Sequence, residues 1–366
     1  MAKKSTLALD DLRRYAVANT LFAPTTLARA MQKLGFVQAD PIRAPARAQD
    51  LILRHRVNNY RAGDLEKRYA RLTVEEDFFV NYGFVPRDVH QLMHPRMPRT
   101  IWNAATKKRA MAMLDFVRER GVVHPREVDA HFQHGARTNN WGGSSNATTH
   151  LLDAMHYRGM LRVAKRDKGI RLYAPPVDAP RQTMSTADTL DALIDVVVKK
   201  YAPIQAGGFA GLVGRLRYGV PQWRVELPAA IKRAKQRLNH TRIDGVDWYW
   251  PADARLGADR HGGDDTLRLL APFDPIVWDR TRFELLWGWA YRFEAYTPPA
   301  KRKLGHYALP MLWRGQVIGW ANVNMDAGSM RTDFGYVAGR APKDKIFNAA
   351  LRDECARMRV FLGAGA

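Results

Sequence analysis

The sequence predicts an α+β protein: a small unit of helices followed by a strand pair recurs, and a strand-rich region with one last helix closes the chain. Three observations predict it. Apolar residues fall at helical spacing through most of the first 250 positions. Twice these runs lead into short strands around an Asp-Lys-Gly or Asp-Gly turn. Beyond residue 265 the pattern changes to strands punctuated by Pro and Gly. At roughly 100–200 residues per domain, 366 residues should form two to four domains. A hydrophobic content of 46% excludes wholesale disorder.

In Leu7–Ala18, Leu9, Leu12, Ala16 and Val17 predict a helix. Pro24-Thr25-Thr26 starts a second helix over Leu27–Leu34, and Gly35 stops it. Phe36–Asp40 reads as a short strand closed by Pro41, which biases Asp40 toward extended backbone. A helix resumes over Ala46–Arg54, and no strand pair is obvious after it.

The next segment gives the clearest pattern. Helices are expected over Met111–Arg120, from Pro125, and from Ser144-Ser145-Asn146 through Tyr157 to Gly159. Strands Met160–Arg166 and Ile170–Ala174 then flank an Asp167-Lys168-Gly169 turn. Three helices followed by a hairpin make a winged helix. The same order recurs in helices Thr189–Tyr201, Phe209–Leu216 and Pro228–Leu238, followed by a wing over Thr241–Trp250 that turns at Asp244-Gly245. Element order, not sequence identity, supports three tandem winged-helix units over 1–105, 106–180 and 181–255. Asp253–Asp265 reads as a linker or long loop. In the fourth domain, 256–366, strands Thr266–Leu270, Glu284–Phe293, Gly305–Leu312, Val317–Val323 and Phe334–Val337 precede a helix over Lys343–Phe361, a β-rich and barrel-like arrangement.

The charge narrows the partner. Lys and Arg number 58 against 36 Asp and Glu, a net +22. So much like charge favours a polyanionic partner, nucleic acid ahead of an anionic membrane, although an Arg- and Ala-rich proteome would give an ordinary enzyme the same surface. The single cysteine, Cys355, excludes an internal disulfide and any zinc site built on several cysteines. The basic start Met1-Ala-Lys-Lys-Ser has no apolar run behind it, and Tyr201–Gly214 is too short and glycine-rich to span a bilayer. A cytoplasmic, nucleoid-associated protein is expected.

Little else suggests chemistry. His90 and His94 lie four apart without the HExxH carboxylate and read as surface or capping residues. Ala206-Gly207-Gly208-Phe209 lacks a Walker lysine, and Gly142-Gly143-Ser144-Ser145 reads as a loop and N-cap. Gln38-Ala39-Asp40 stands out, because on a strand Gln38 and Asp40 project to the same side. Basic residues follow at Arg43, Arg47, Arg54, Arg56, Arg61, Lys67, Arg68 and Arg71, opposed by Asp50, Asp64 and Glu66. A carboxylate there would repel phosphate, which hints at catalysis. Spacing alone equally allows Asp40 to cap the turn before Pro41 through an Asx bond, with Gln38 a surface amide.

Longer stretches carry a resemblance. Leu34-Gly-Phe-Val-Gln-Ala-Asp-Pro-Ile, then Ala46-Arg-Ala-Gln-Asp-Leu-Ile-Leu-Arg-His-Arg and Asn58-Asn59-Tyr60, resemble the N-terminal signature of the YcaQ-type bacterial DNA glycosylases, relatives of the azinomycin-resistance glycosylase. Leu269-Leu-Ala-Pro-Phe-Asp-Pro-Ile-Val-Trp-Asp-Arg-Thr-Arg and Tyr291-Arg-Phe-Glu-Ala-Tyr-Thr-Pro-Pro-Ala-Lys-Arg-Lys-Leu-Gly-His-Tyr-Ala-Leu-Pro-Met-Leu are similar to the family's most recognisable block. The resemblance implies tandem winged helices, a C-terminal barrel-like domain and a cofactor-free, metal-free glycosylase. The implied reaction is hydrolysis of N7-alkylguanine adducts, including interstrand crosslinks, without a lyase step. Gln38 and Asp40 match the family's catalytic Gln-x-Asp; a Gln-x-Gln form marks the azinomycin-type branch, so this chain resembles the broader-acting side. It departs from the family's Tyr-Trp-x-His-Glu run, having Asn81-Tyr82-Gly83-Phe84-Val85-Pro86 instead.

The expected partner is double-stranded DNA carrying alkylated guanine, bound by a monomer. DNA contacts are expected at Arg43, Arg47, Arg54, Arg56, Asn59, Tyr60, Lys301 and Arg302, with the wing residues Arg162, Lys165, Arg166, Lys168 and Arg171 along the backbone. The alternative is a winged-helix regulator or other non-catalytic DNA binder, which would usually dimerise on a palindrome. A weaker third class, an RNA-binding protein, would expose a stacking platform.

Overall fold

The computed structural model describes residues 7–98, 100–133, 135–138, 144–177, 183–256 and 264–364. It divides into two units, one of Met1–Leu65, Ile194–Val213 and Ala229–Ala366, the other of Glu66–Leu193 and Gly214–Pro228. Among the described residues no helix is long and apolar enough to cross a membrane. Gly142, Gly143 and positions 257–263 of the expected linker lie outside the described residues.

In the first unit, helix Leu9–Thr20 precedes helix Leu27–Leu34. Thr26 starts the second by accepting from the Arg29 N–H, and Gly35 ends it at φ +62°. Only glycine suits position 35: a Cβ there would lie 2.6 Å from Val196 Cγ1, besides needing the left-handed backbone. The chain then runs buried through strand Val37–Gln38 and helix Ala48–Leu53. Strand Val246–Trp250 pairs on one side with Asn239–Ile243, through the expected turn at Asp244 and Gly245, and on the other with Ile204–Gln205.

The C-terminal strands form an open antiparallel sheet in the order Arg268–Leu269, Leu309–Trp313, Gln316–Asp326, Ser329–Tyr336. No closed barrel forms among the described residues. No strand forms over the expected Glu284–Phe293: its first four residues end helix Arg280–Trp287, capped by Asp279, which accepts from the Arg282 N–H at 3.0 Å, and after Gly288 at φ +68° the rest is irregular. The alternation of Trp287, Trp289 and Tyr291 that imitated a strand reflects packing around Phe283, at ring separations of 5.1, 6.1 and 6.0 Å. These aromatics join Leu270, Ile276 and Leu312 in the core. Helix Lys345–Leu362 closes the chain between its Asp344 cap and Gly363.

The second unit contains helix Ala104–Arg120, which Asn103 caps earlier than the periodicity suggests, then helices Pro125–Phe132 and Ala147–Tyr157. Strands Ala136–Thr138 and Ser144–Asn146 pair between those two helices. The expected hairpin pairs Arg162–Asp167 with Ile170–Ala174 across Lys168 and Gly169, both at positive φ. A second hairpin, Val74–Phe78 with Tyr82–Pro86, was not legible in the sequence. It buries Glu75, Glu76 and Asp77, residue types that read as surface.

Candidate active site

Gln38 and Asp40 sit where the left-handed turn at Gly35 sends the chain into a short strand. Behind them, the Lys200 ammonium donates to the Phe36 carbonyl. Lys200 is buried, and burial followed by repulsion from Arg56 lowers its pKa to about 7, with Asp274 opposing. The strand is thus anchored from within.

Gln38 is not a surface amide: it is 4% exposed, and its Oε1 accepts from the Trp278 indole at 2.7 Å. An indole N–H can only donate, so this bond fixes which end of the amide is oxygen and leaves Nε2 as the donor available to a ligand. Trp278 is itself held by a turn in which its N–H and that of Val277 both bond the Asp274 carbonyl, at 2.8 and 2.9 Å. The Asp274 side chain takes two bonds from the Arg56 guanidinium, at 2.8 and 3.0 Å.

Asp40 is half-buried. Its Oδ1 accepts from the Ile42 N–H at 2.9 Å, the Asx bond that spacing allowed. No donor among the described residues reaches Oδ2. Burial pushes the Asp40 carboxyl above its ordinary value, and the Ile42 bond offsets this only in part. The turn bond does not exclude chemistry; it orients the carboxylate while one oxygen remains open.

The predicted DNA contacts separate into two groups. Arg43, Asn59 and Lys301 are exposed, and Arg47 and Arg302 are half-buried, with Arg302 Nε donating to the Thr297 carbonyl at 2.8 Å. Arg54, Arg56 and Tyr60 are built into the fold. Arg54 is ion-paired with buried Glu354. Arg56 is fully buried and donates to the Thr20 and Ile52 carbonyls, both at 2.6 Å, as well as to Asp274. The Tyr60 hydroxyl donates to Asp50 at 2.7 Å and accepts from the Leu65 N–H at 3.1 Å. Phosphate would have to displace these partners, so these three positions are corrected to structural roles.

The second unit uses charges the same way. In the hairpin Arg162–Asp167 with Ile170–Ala174, Arg166 and Arg171 pair with Glu76, and Arg162 lies 3.6 Å from Glu75. His94 takes the C-cap position of helix Arg87–Met93, its N–H bonding the Gln91 carbonyl, but neither histidine side chain is simply a surface group. Both turn Nε2 toward one oxygen of buried Asp77, at 3.1 and 2.8 Å. Such a cluster could ligate a cation, but Arg96 already bonds both Asp77 oxygens, at 2.9 and 3.1 Å, and its charge opposes a second one.

Sequence reasoning missed Trp278, although it lies in a C-terminal stretch quoted for the resemblance. A family model described as DNA glycosylase AlkZ-like matches residues 31–361. Among solved structures, the Streptomyces sahachiroi DNA glycosylase AlkZ is similar in fold, with a TM-score of 0.59 and 11% identity over 98% of this chain and 98% of that one.

Proposed function

We propose, for a chain that belongs to the AlkZ-like DNA glycosylase family and is therefore a DNA N-glycosylase, that it excises N7-alkylguanine from duplex DNA and unhooks interstrand crosslinks made through that position. The observation that carries this reading is Asp40: a half-buried carboxylate with one oxygen open, beside a Gln38 amide fixed by Trp278. The non-catalytic regulator falls with the family assignment, since a glycosylase is an enzyme.

N7-alkylguanine is already cationic and leaves without further protonation. The difficulty lies in the sugar, which gains oxocarbenium character as the bond to the base breaks. A carboxylate held in a partly desolvated site stabilises that charge more in the transition state than in the ground state, where the sugar is neutral. Asp40 supplies that charge and accepts a proton from the attacking water; Gln38 Nε2 orients the water. A single carboxylate suffices because the leaving group needs no acid.

Arg43, Arg47, Asn59, Lys301 and Arg302 remain as the residues assigned to DNA contact. The finer architecture of three winged-helix units over 1–105, 106–180 and 181–255 before a C-terminal domain, a monomer in solution, and action at the bacterial nucleoid belong to the same proposal. The test is incubation with duplexes carrying 7-methylguanine or a nitrogen-mustard crosslink. Free base should be released while the strand stays intact until alkali is added. Strand cleavage without alkali would exclude the hydrolytic mechanism, and no release from either duplex would remove the substrate assignment.

A further inference from the structure

Tyr296 carries its ring into solvent, 80% exposed. An isolated apolar side chain on a surface is ordinary, and a slack loop would let it fold back. This loop is not slack. The buried Glu294 accepts the Thr297 N–H on its carbonyl at 2.9 Å, turning the chain tightly around Ala295 and Tyr296. Glu294 Oε2 accepts the N–H groups of Lys303, Leu304 and Gly305 at 2.9, 2.7 and 3.3 Å. Pro298 and Pro299 fix their own φ and lead into the single turn Pro299–Lys301. Arg302 Nε donates to the Thr297 carbonyl at 2.8 Å, and Asn322 donates to the Leu304 carbonyl at 2.7 Å. The Phe293 ring meets Tyr296 edge-on at 6.1 Å and is itself packed against Phe273 and Tyr307, at 5.1 and 5.3 Å. A rigid frame therefore presents an aromatic ring that the fold leaves uncovered.

The charge around that ring has one sign. Between Tyr291 and Tyr307 the cations Arg292, Lys301, Arg302 and Lys303 are opposed by one acid, Glu294. Arg292, Lys301 and Lys303 are exposed, whereas Glu294 is buried and its Oε2 is occupied by backbone donors. The solvent side of the loop is thus positive, with an aromatic ring among the cations. A nucleic acid matches both features: phosphates suit the cations, and the π-face of a base suits the ring. In an intact duplex every base is covered by its neighbours. A stacking face opens where a base has been removed or extruded, which is the state that base chemistry creates.

We propose that Tyr296 stacks on a DNA base that has lost its stacking neighbour, while Lys301 and Lys303 contact the flanking phosphates. The assignment takes DNA as the substrate class of the family and does not depend on the N7-alkylguanine reading.

The test is binding, measured by fluorescence anisotropy on a fully paired duplex and on the same duplex carrying a tetrahydrofuran abasic analogue. Tyr296→Ala should keep the parental melting temperature, because the side chain is mostly in water. Its Kd for the abasic duplex should rise about tenfold, or 1.4 kcal/mol, within the range for base–aromatic stacking, with the Kd for the paired duplex unchanged. Tyr296→Phe should bind both duplexes like the unaltered protein, since the ring and not the hydroxyl stacks. The salt dependence of Tyr296→Ala should match the parent, whereas that of Lys303→Ala should be shallower by about one phosphate contact. No loss in Tyr296→Ala, or an equal loss on both duplexes, overturns the stacking assignment. So does a Tyr296→Phe variant as weak as Tyr296→Ala, which would mean that the hydroxyl makes the contact. A parental salt slope in Lys303→Ala removes the phosphate contact, and a greater loss on single-stranded RNA than on abasic DNA moves the surface to RNA. The assay requires no excision, so failure to release 7-methylguanine would leave its outcome standing.

Discussion

Asp40 and Asp77 are both carboxylates drawn in from solvent, and their surroundings push them in opposite directions. Asp77 is fully buried; burial alone would raise its pKa, yet Arg96 first, then His90 and His94, hold it well below the ordinary carboxylate range. Asp40 is less buried and has the Ile42 N–H as its bond, so burial prevails and its pKa rises. A buried charge with complete partners belongs to the fold, whereas one left partly unsatisfied is poised for something that arrives later.

Removing each charge should separate the two roles. Asp40→Asn should lower 7-methylguanine release by about 10²–10⁴-fold, the range for a lost general base or a lost transition-state charge partner. Its melting temperature should not fall, because the ionised carboxylate is disfavoured in the fold. Unchanged release would remove Asp40 from the mechanism. Asp77→Ala should instead destabilise the chain by about 3–5 kcal/mol in denaturant titration, because Arg96 is left buried without its counter-ion. A variant as stable as the parent would show that Arg96 finds other acceptors and that the comparison is misdrawn.

What the sequence revealed followed the range of each interaction. The Gly35 stop, the Thr26 cap and the turn at Lys168 and Gly169 depend on neighbouring residues, and all could be read locally. Gln38 and Asp40 were singled out by the resemblance to a family motif, since their two-residue spacing equally allowed a turn cap, and the strand itself covers only Val37–Gln38. Arg54 and Arg56 could not be resolved that way: their carboxylate partners lie 300 and 218 positions along the chain, so a basic run looked like a DNA-facing surface. The hairpin at 74–86 was hidden for a related reason. Its three consecutive acidic residues are acceptable inside only because arginines and histidines from distant segments meet them.

Acid titration should sharpen the contrast without a mutation. Asp40 must be charged to work and its pKa lies above 3.8, so excision should fail as pH drops toward that raised value. Asp77 titrates well below 3.8; its contribution to stability is present above the unfolded-state value and is lost only as pH falls through the depressed one. Excision should therefore disappear while circular dichroism still reports a folded chain. Simultaneous loss of both would mean that the acid limb records unfolding.

Gln38 is the finer case, because its amide serves both roles. Its carbonyl holds Trp278 and belongs to the frame, while Nε2 is the donor assigned to the water. Gln38→Ala removes both but leaves the Asp40 charge, so release should fall only about tenfold, as for one lost hydrogen bond. Gln38→Glu divides the two roles: a carboxylate can still accept from the indole N–H but, when ionised, cannot donate. If water orientation is the function, Gln38→Glu should keep the parental melting temperature and remain as slow as Gln38→Ala. If holding Trp278 is all that matters, Gln38→Glu should recover the rate, and the amide would then belong with Asp77 and Arg56 among the groups that build the fold.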